Sequence, residues 1–241
     1  MRIAVAGGTG RAGAQAVSVA RERGHDVVVL SRSAGIDLTT GDGAAAALDG
    51  ADVVIDASGV RGKGDPAAFH TAVLQALVAS RPPHIVVLSI VNCDRIDYPL
   101  YRAKAAQEQA AASSGIPFTI ARATQFHEFA PQVWEFAGVG PVHIAPKMRT
   151  QPVAAREVGE RLVDLAESEP AGRAADLAGP REEWLPDMMR AYAAASRRRG
   201  VVVPLALPGA FGRAARGGGL LPSPDAVLGR QTFAQWIAAL G

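Results

Sequence analysis

Residues 7–13 read Gly7-Gly8-Thr9-Gly10-Arg11-Ala12-Gly13, directly behind the apolar run Ile3-Ala4-Val5-Ala6 and directly ahead of a stretch with helical character. The spacing of these glycines has a chemical meaning. Gly7 permits a tight turn where a buried strand ends, Gly10 lets backbone N–H groups approach a pyrophosphate, and Gly13 lets the next helix pack closely on the strand. Glycine-rich turns also serve simply to reverse a chain, so the flanking strand and helix carry the reading. Together they predict a dinucleotide site at the start of the chain, with Thr9, Arg11 and Ala12 in its loop.

Outward from this loop, strands and helices alternate. Strands are predicted at 2–6, 25–30, 35–38, 51–56, 84–88 and 118–121, and helices at 10–23, 42–48, 66–80, 100–113. The strands are apolar along their whole length, as in a parallel sheet buried on both faces. The expected fold is therefore α/β, a doubly wound parallel sheet of Rossmann type with helices on both sides. Past residue 123 the pattern loosens. Helices near 125–136, 155–168 and 182–198, with short strands near 142–144, 175–177 and 201–203, predict a smaller lobe. The glycine-rich stretch 208–224 reads as a loop or broken helix. The expected organisation is a nucleotide-binding domain over 1–123 and a substrate-binding lobe over 124–241, packed as one compact unit.

Composition narrows the function classes. With 241 residues and 49% hydrophobic content the chain can bury a large core without disulfides. Its 25 basic and 23 acidic residues nearly balance. The one basic block, Arg197-Arg198-Arg199, fits the exposed end of a helix, so no nucleic-acid partner is expected. No apolar run approaches the ~18 residues that would span a bilayer, and Met1-Arg2-Ile3 leads straight into the first strand. A cytoplasmic protein with no membrane partner, a monomer or homodimer, is expected. One cysteine, Cys93, excludes an internal disulfide, and the five histidines show no metal-ligand spacing, so no metal is predicted.

In a doubly wound sheet the ligand lies beyond the carboxyl ends of the strands. After the second strand comes Ser31-Arg32-Ser33, where an NAD site would place a carboxylate. Arg32 can instead make charge-assisted bonds to a 2′-phosphate, helped by Ser31 and with Arg11 as a second cation, and NADP(H) is preferred over NAD(H). Asp37 either faces the adenine amino group or caps its own turn. Ala57-Ser58-Gly59 keeps the backbone small where a dinucleotide would pass, although Gly59 also suits an ordinary turn. Ser89, after the strand at 84–88, either orients a substrate oxygen or caps its loop. Cys93 reads as a small inert thiol or as a redox-sensitive group near the cofactor.

The glycine pattern, Arg32, Ser89, the run Tyr101-Arg102-Ala103-Lys104 and the segment Gly115-Ile116-Pro117-Phe118-Thr119-Ile120-Ala121-Arg122 resemble the NmrA-like group of atypical short-chain dehydrogenases/reductases. The resemblance covers the first 130 residues, with weaker similarity at Gln151-Pro152-Val153-Ala154 and Leu177-Ala178-Gly179-Pro180. It implies NADPH or NADH on a Rossmann domain, and either reduction of small organic substrates or a redox-sensing role without catalysis. Ordinary short-chain dehydrogenases place a Tyr four positions before the helix Lys, on the same face, where the ammonium lowers the phenol's pKa, whereas the aromatic-ether reductases of the resembled group use a helix Lys without that Tyr. Here that position is Leu100. Tyr101 is three before Lys104, and Tyr98 six before it.

The resemblance implies that Lys104 contacts the nicotinamide ribose or moves a proton, with Ser89 and Tyr101 as further catalytic candidates. It also places Gln125, Phe126 and His127 on the substrate side, although Phe126, Phe129 and Trp134 have the spacing of a helix core face and His127 also suits a buried position. Two functions follow as expectations. One is an NADP(H)-dependent oxidoreductase passing hydride to a small carbonyl, enone, quinone or ether-like substrate. The other is an NADPH sensor of little or no catalytic power.

Overall fold

The computed structural model describes residues 1–60 and 64–240. Its first half alternates as the sequence pattern predicts: β1 (Arg2–Ala6), α1 (Arg11–Glu22), β2 (Asp26–Leu30), α2 (Ala44–Leu48), β3 (Val53–Asp56), α3 (Pro66–Ala79), β4 (Ile85–Ile90), α4 (Pro99–Ala112) and β5 (Phe118–Ala123). These five strands are ordered β2-β1-β3-β4-β5. The β1 pairings with β2 and with β3 are parallel, in the registers Val5 to Val29 and Val5 to Ile55. Because β2 lies on one side of β1 and β3 on the other, the order reverses at β1, and the crevice of a doubly wound sheet opens at its carboxyl end.

Beyond β5 the chain forms α5 (Phe129–Phe136), β6 (Gly138–Val139), β7 (Val142–Pro146), β8 (Arg149–Thr150), α6 (Ala155–Ala166) and β9 (Gly172–Arg173). It continues through β10 (Leu177–Ala178), β11 (Glu183–Trp184), α7 (Leu185–Ala195), β12 (Val201–Leu205), α8 (Gly209–Arg216), β13 (Val227–Leu228) and α9 (Phe233–Ala238). Two compact units result. One holds 1–94, 98–122 and 155–175, and the other holds 95–97, 123–154 and 176–241.

In the first unit, side chains on a strand alternate between faces. Ala4, Ala6, Val54 and Val87 join a core with Ala44 and Leu48 of α2, Val73, Leu74 and Leu77 of α3 and Ala111 of α4. The alternate set, Ile3, Val5, Val53 and Ile55, is fully buried too. That second face is covered by α1 and by α6, which packs on α1, β3 and β4. Gly159 of α6 makes the close approach possible, since a Cβ there would stand 2.6 Å from the Gln15 carbonyl carbon. Both faces of the sheet are thus sealed, which is why its strands carry no polar alternation.

In the second unit, β10 pairs with β13 and, at Leu177, with Ala123. β6, β7 and β12 form a separate three-stranded sheet, and β8 pairs with β11.

Several local expectations are corrected. Residues 35–38 form no strand: a 3-10 turn over Arg32–Ala34 ends at left-handed Gly35, and Asp37 bridges back to Asp42. Two apolar residues, Ile36 and Leu38, are too few to hold a strand against the turn chemistry of Asp37-Leu38-Thr39-Thr40-Gly41-Asp42. β4 runs to Ile90, so Ser89 belongs to the strand rather than to the loop after it. The first residues of the expected helix at 125–136 are extended, with Phe126 bridged to Val153, and the helix starts at Phe129. Residues 182–184 are likewise extended, because β11 pairs with β8 before α7 begins. The 208–224 stretch contains α8, whose Gly212 sits against the Leu207 carbonyl where a Cβ would overlap it. The last helix, α9, carries a capping box, Thr232 with Gln235, a start signal written in the sequence itself.

Candidate functional site

The glycine loop folds as its spacing requires. Gly7 has φ +71°, and a Cβ on it would fall 2.7 Å from the Ala57 carbonyl oxygen and the Ser58 Cα. A Cβ on Gly13 would overlap the Gly7 carbonyl. The Gly10 N–H donates to the Gly7 carbonyl at 2.7 Å, and Gly10 caps α1 without a side-chain bond. Only hydrogens fit at these points, so the loop, the start of α1 and the segment after β3 close to backbone distance.

Ala12 and Gly13 are buried in the first turn of α1, while Thr9 and Arg11 are exposed. First-turn N–H groups have no acceptor within their own helix and stand at the positive end of its dipole. Beside them, Ser58 Oγ is buried and has no hydrogen-bond partner among the described residues. A Cβ-free cradle, a helix N-terminus and an orphaned hydroxyl fit a dinucleotide pyrophosphate.

At the end of β2, Ser31 Oγ and Ser33 Oγ are 3.0 Å apart, and Arg32 is exposed. Asp37 spends Oδ1 on the N–H and hydroxyl of Thr39, at 2.9 and 2.6 Å. Those bonds, the Thr39 hydroxyl first, hold its carboxyl below the usual carboxylate range. Asp37 thus organises its own turn. Gly59 is exposed, and a Cβ on it would meet nothing.

The group that the sequence reading missed is Asp56, fully buried at the end of β3. Its Oδ1 accepts the Ser58 N–H at 3.0 Å, and its Oδ2 accepts Gln107 Nε2 at 2.7 Å. Gln107 Oε1 in turn accepts Lys104 Nζ at 2.7 Å. A buried chain therefore joins the segment facing the glycine loop to Lys104. Burial lowers the Lys104 pKa, and Asp56 opposes that shift. His70 of α3 is buried as well, and its Nδ1 has no partner among the described residues. Burial first, then the Lys104 charge, pushes its pKa down to about 3, so it is neutral at physiological pH. The signals available were a carboxylate ending the otherwise aliphatic Val53-Val54-Ile55-Asp56 and a Gln three residues after Lys104.

Ser89 is buried, its hydroxyl 3.6 Å from Cys93 Sγ. Cys93 donates to Glu108 Oε1 at 3.3 Å. Glu108 also takes Arg122 Nε and a second guanidinium nitrogen, at 2.8 and 2.6 Å, while Arg122 reaches Asp94 at 2.8 Å. Burial and then Glu108 push the Cys93 thiol up to about 11, which makes it a poor nucleophile. Tyr101 is buried in α4 against the edge of the Tyr98 ring.

In the second unit, Gln125 Oε1 accepts the Thr150 hydroxyl, and Phe126 is half-buried. His127 is fully buried between Phe233 and Trp236, with Nε2 3.1 Å from the Gln231 carbonyl oxygen. His127 is therefore a core residue rather than an exposed proton donor.

No protein-family model and no curated protein matches the chain. Solved structures do. An NADPH-dependent quinone oxidoreductase of Escherichia coli, complexed with NADPH, is 19% identical with 99% of each chain covered and a TM-score of 0.76. The Citrobacter sp. triphenylmethane reductase complexed with NADP(H) is 16% identical over 100% of this chain and 99% of that one, at TM-score 0.73. The Bordetella bronchiseptica enzyme WbmH, complexed with NAD+, is 14% identical over 85% of each, at 0.64. The likeness is one of fold: the chain shares the Rossmann-type α/β fold of these enzymes.

Proposed function

We propose that this chain is an NADP(H)-dependent reductase of the NmrA-like type, acting on a small carbonyl, enone, quinone or ether-like organic substrate. The observation that carries the reading is the buried Asp56–Gln107–Lys104 chain, which leads from the dinucleotide cradle to an ammonium whose proton is loosened by burial. NADPH would supply the hydride and its electron pair. Gly7, Gly10 and Gly13 would admit the pyrophosphate, with Ala12 in the same turn and Ser58 donating its unused hydroxyl. Arg32, with Ser31 beside it, would face a 2′-phosphate, and no carboxylate at the end of β2 favours a bare ribose. Lys104 would hold the nicotinamide ribose and give the proton that accompanies the hydride, with Gln107 and Asp56 setting its position.

A second reading, an NADPH sensor, is favoured by one observation: Leu100 stands where the phenol of ordinary short-chain dehydrogenases would be, and Tyr101 is buried against Tyr98. One experiment separates the two. NADPH consumption is followed with a panel of quinones, enones and aldehydes, for the wild type and Lys104→Ala, alongside fluorescence titration with NADPH. The reductase reading expects turnover that falls at least tenfold in the variant. Firm NADPH binding with no turnover on any substrate would give the sensor reading, and no binding would sink both.

A further inference from the structure

The three-stranded sheet of the second unit turns an aliphatic face to solvent. β7 and β12 are parallel in the register Val142 to Val201 and Ile144 to Val203, and β6 opposes β7 with Val139 across from Val142. Residues directly opposite in a ladder share a face, and every second residue returns to it. One face therefore carries Val139, Val142, Ile144, Val201, Val203 and Leu205. Val139 is 77% exposed and Val201 62%, and the other four are exposed as well. Phe136, at the end of the helix leading into β6, is 93% exposed.

This sidedness is not a free choice of register. The opposite face holds His143, whose ring stacks on Trp134 with centroids 3.5 Å apart and whose Nδ1–H donates to the Trp134 carbonyl at 2.9 Å. Gly138 and Gly200 flank the ring so closely that a Cβ on either would come within 2.9 Å of it. A one-residue slip would expel His143 from that slot and turn the valines inward. The fold thus locks a polar ring inside and six aliphatic side chains outside, the reverse of an ordinary half-exposed sheet.

We propose that this face is the interface of a homodimer, packed sheet on sheet against the same face of a second copy. The six aliphatic residues present roughly 500 Å², so two copies packed face to face would bury about 1,000 Å² in total, the size at which a specific interface begins. The face holds no charge and no side-chain hydrogen-bonding group, so its occupant must be aliphatic as well. At a two-fold axis the identical face meets that demand. Lateral strand addition is the weaker alternative, because the edge strand β12 carries Pro204, which has no N–H to donate. Near the face, Arg198 pairs with Glu135 at 2.5 Å, a polar group of the kind that rims an apolar interface.

The test is the mass of the full-length chain by light scattering and sedimentation at micromolar concentrations, with and without neutral phosphatidylcholine vesicles. The expected result is twice the 24.9 kDa of one chain. Val203→Glu and Val201→Lys should each weaken the dimer on the order of a hundredfold, with unchanged far-UV circular dichroism, while Val203→Ile stays dimeric. Both charged positions are already exposed, so monomer folding does not depend on them. A wild type of single-chain mass at every concentration would overturn the proposal, as would a dimer indifferent to both charges. Co-sedimentation of a monomer with the vesicles would assign the face to lipid instead.

Discussion

Asp56 on β3 and Lys104 on α4 are joined through a single amide. Gln107 gives its Nε2–H to Asp56 Oδ2 and takes the Lys104 Nζ proton on its Oε1, each at 2.7 Å. The relation spans 51 residues of sequence between Asp56 and Gln107. An amide can accept from an ammonium and donate to a carboxylate at once, on its two separate ends.

Gln107→Leu keeps the volume and removes both bonds. The buried ammonium and carboxylate then lose a partner each, which costs about 2–4 kcal/mol. Urea unfolding of the variant should show a stability loss of that size, read as a lower midpoint at an unchanged m-value. A loss below ~0.5 kcal/mol would mean that water replaces the amide without penalty.

Gly13→Ala places a methyl group on the Gly7 carbonyl. Relief requires α1 or the loop to shift, at about 1–3 kcal/mol. The pyrophosphate cradle shifts with it, so NADPH affinity should fall at least tenfold while the far-UV spectrum stays that of the wild type. Unchanged affinity by fluorescence titration would place the dinucleotide elsewhere.

Arg32→Ala tests the cofactor preference in isolation, because Arg32 is exposed and lies in a short turn. Removing one guanidinium–phosphate contact is worth about 1.5–3 kcal/mol. NADPH affinity should drop roughly tenfold or more, and NADH affinity should stay within about twofold. Equal losses for both nucleotides would show that Arg32 shapes the loop rather than reading the phosphate.

His70 makes stability depend on pH in a defined direction. Its folded pKa is about 3 against an ordinary 6.5, so between these values the unfolded chain binds a proton that the folded chain refuses. Stability from this group is complete above pH 6.5 and is lost as pH falls toward 3, by up to ~1.4 kcal/mol per pH unit. His70→Leu should remove that slope, seen as a flatter urea-midpoint profile between pH 4 and 6.5. Parallel profiles would show that His70 is protonated in the native protein.

Cys93 should be inert. With its pKa at about 11 rather than 9.0, the thiolate fraction at neutral pH is about 100-fold below that of an ordinary thiol. Iodoacetamide should label it only in denaturant. Rapid labelling of the native protein would require that the Ser89–Cys93–Glu108 cluster opens.

The parts legible in the sequence share one property: their signal is local. The strand Ile3-Ala4-Val5-Ala6, the glycines of the turn and the small residues of α1 announce themselves within a dozen positions, because strand burial, turn geometry and close helix packing each act on neighbours in the chain. Arg32 was legible for the same reason, as a cation in the loop that ends the second strand. Residues 35–38 were misread where two apolar residues resembled a strand, and the side-chain bonds of Asp37 and Asp42 to Thr39 and Thr40 prevailed.

What tertiary structure alone decided lies across long separations. That residues 155–175 pack in the first unit follows from the fit of Gly159 against the backbone of Gln15, a contact that no periodicity encodes. Lys104 stood out in the sequence by resemblance, but its partners Gln107 and Asp56 gained meaning only when α4 was laid beside β3. His127, open to either reading as a letter, became a core residue when α9 closed on it. The chain itself determined a parallel sheet with a glycine-lined turn after its first strand, since backbone geometry and glycine stereochemistry are properties of short segments. Which buried charges meet, and which aliphatic face is left outside, depends on how distant segments share the same space, and only the folded molecule fixes that.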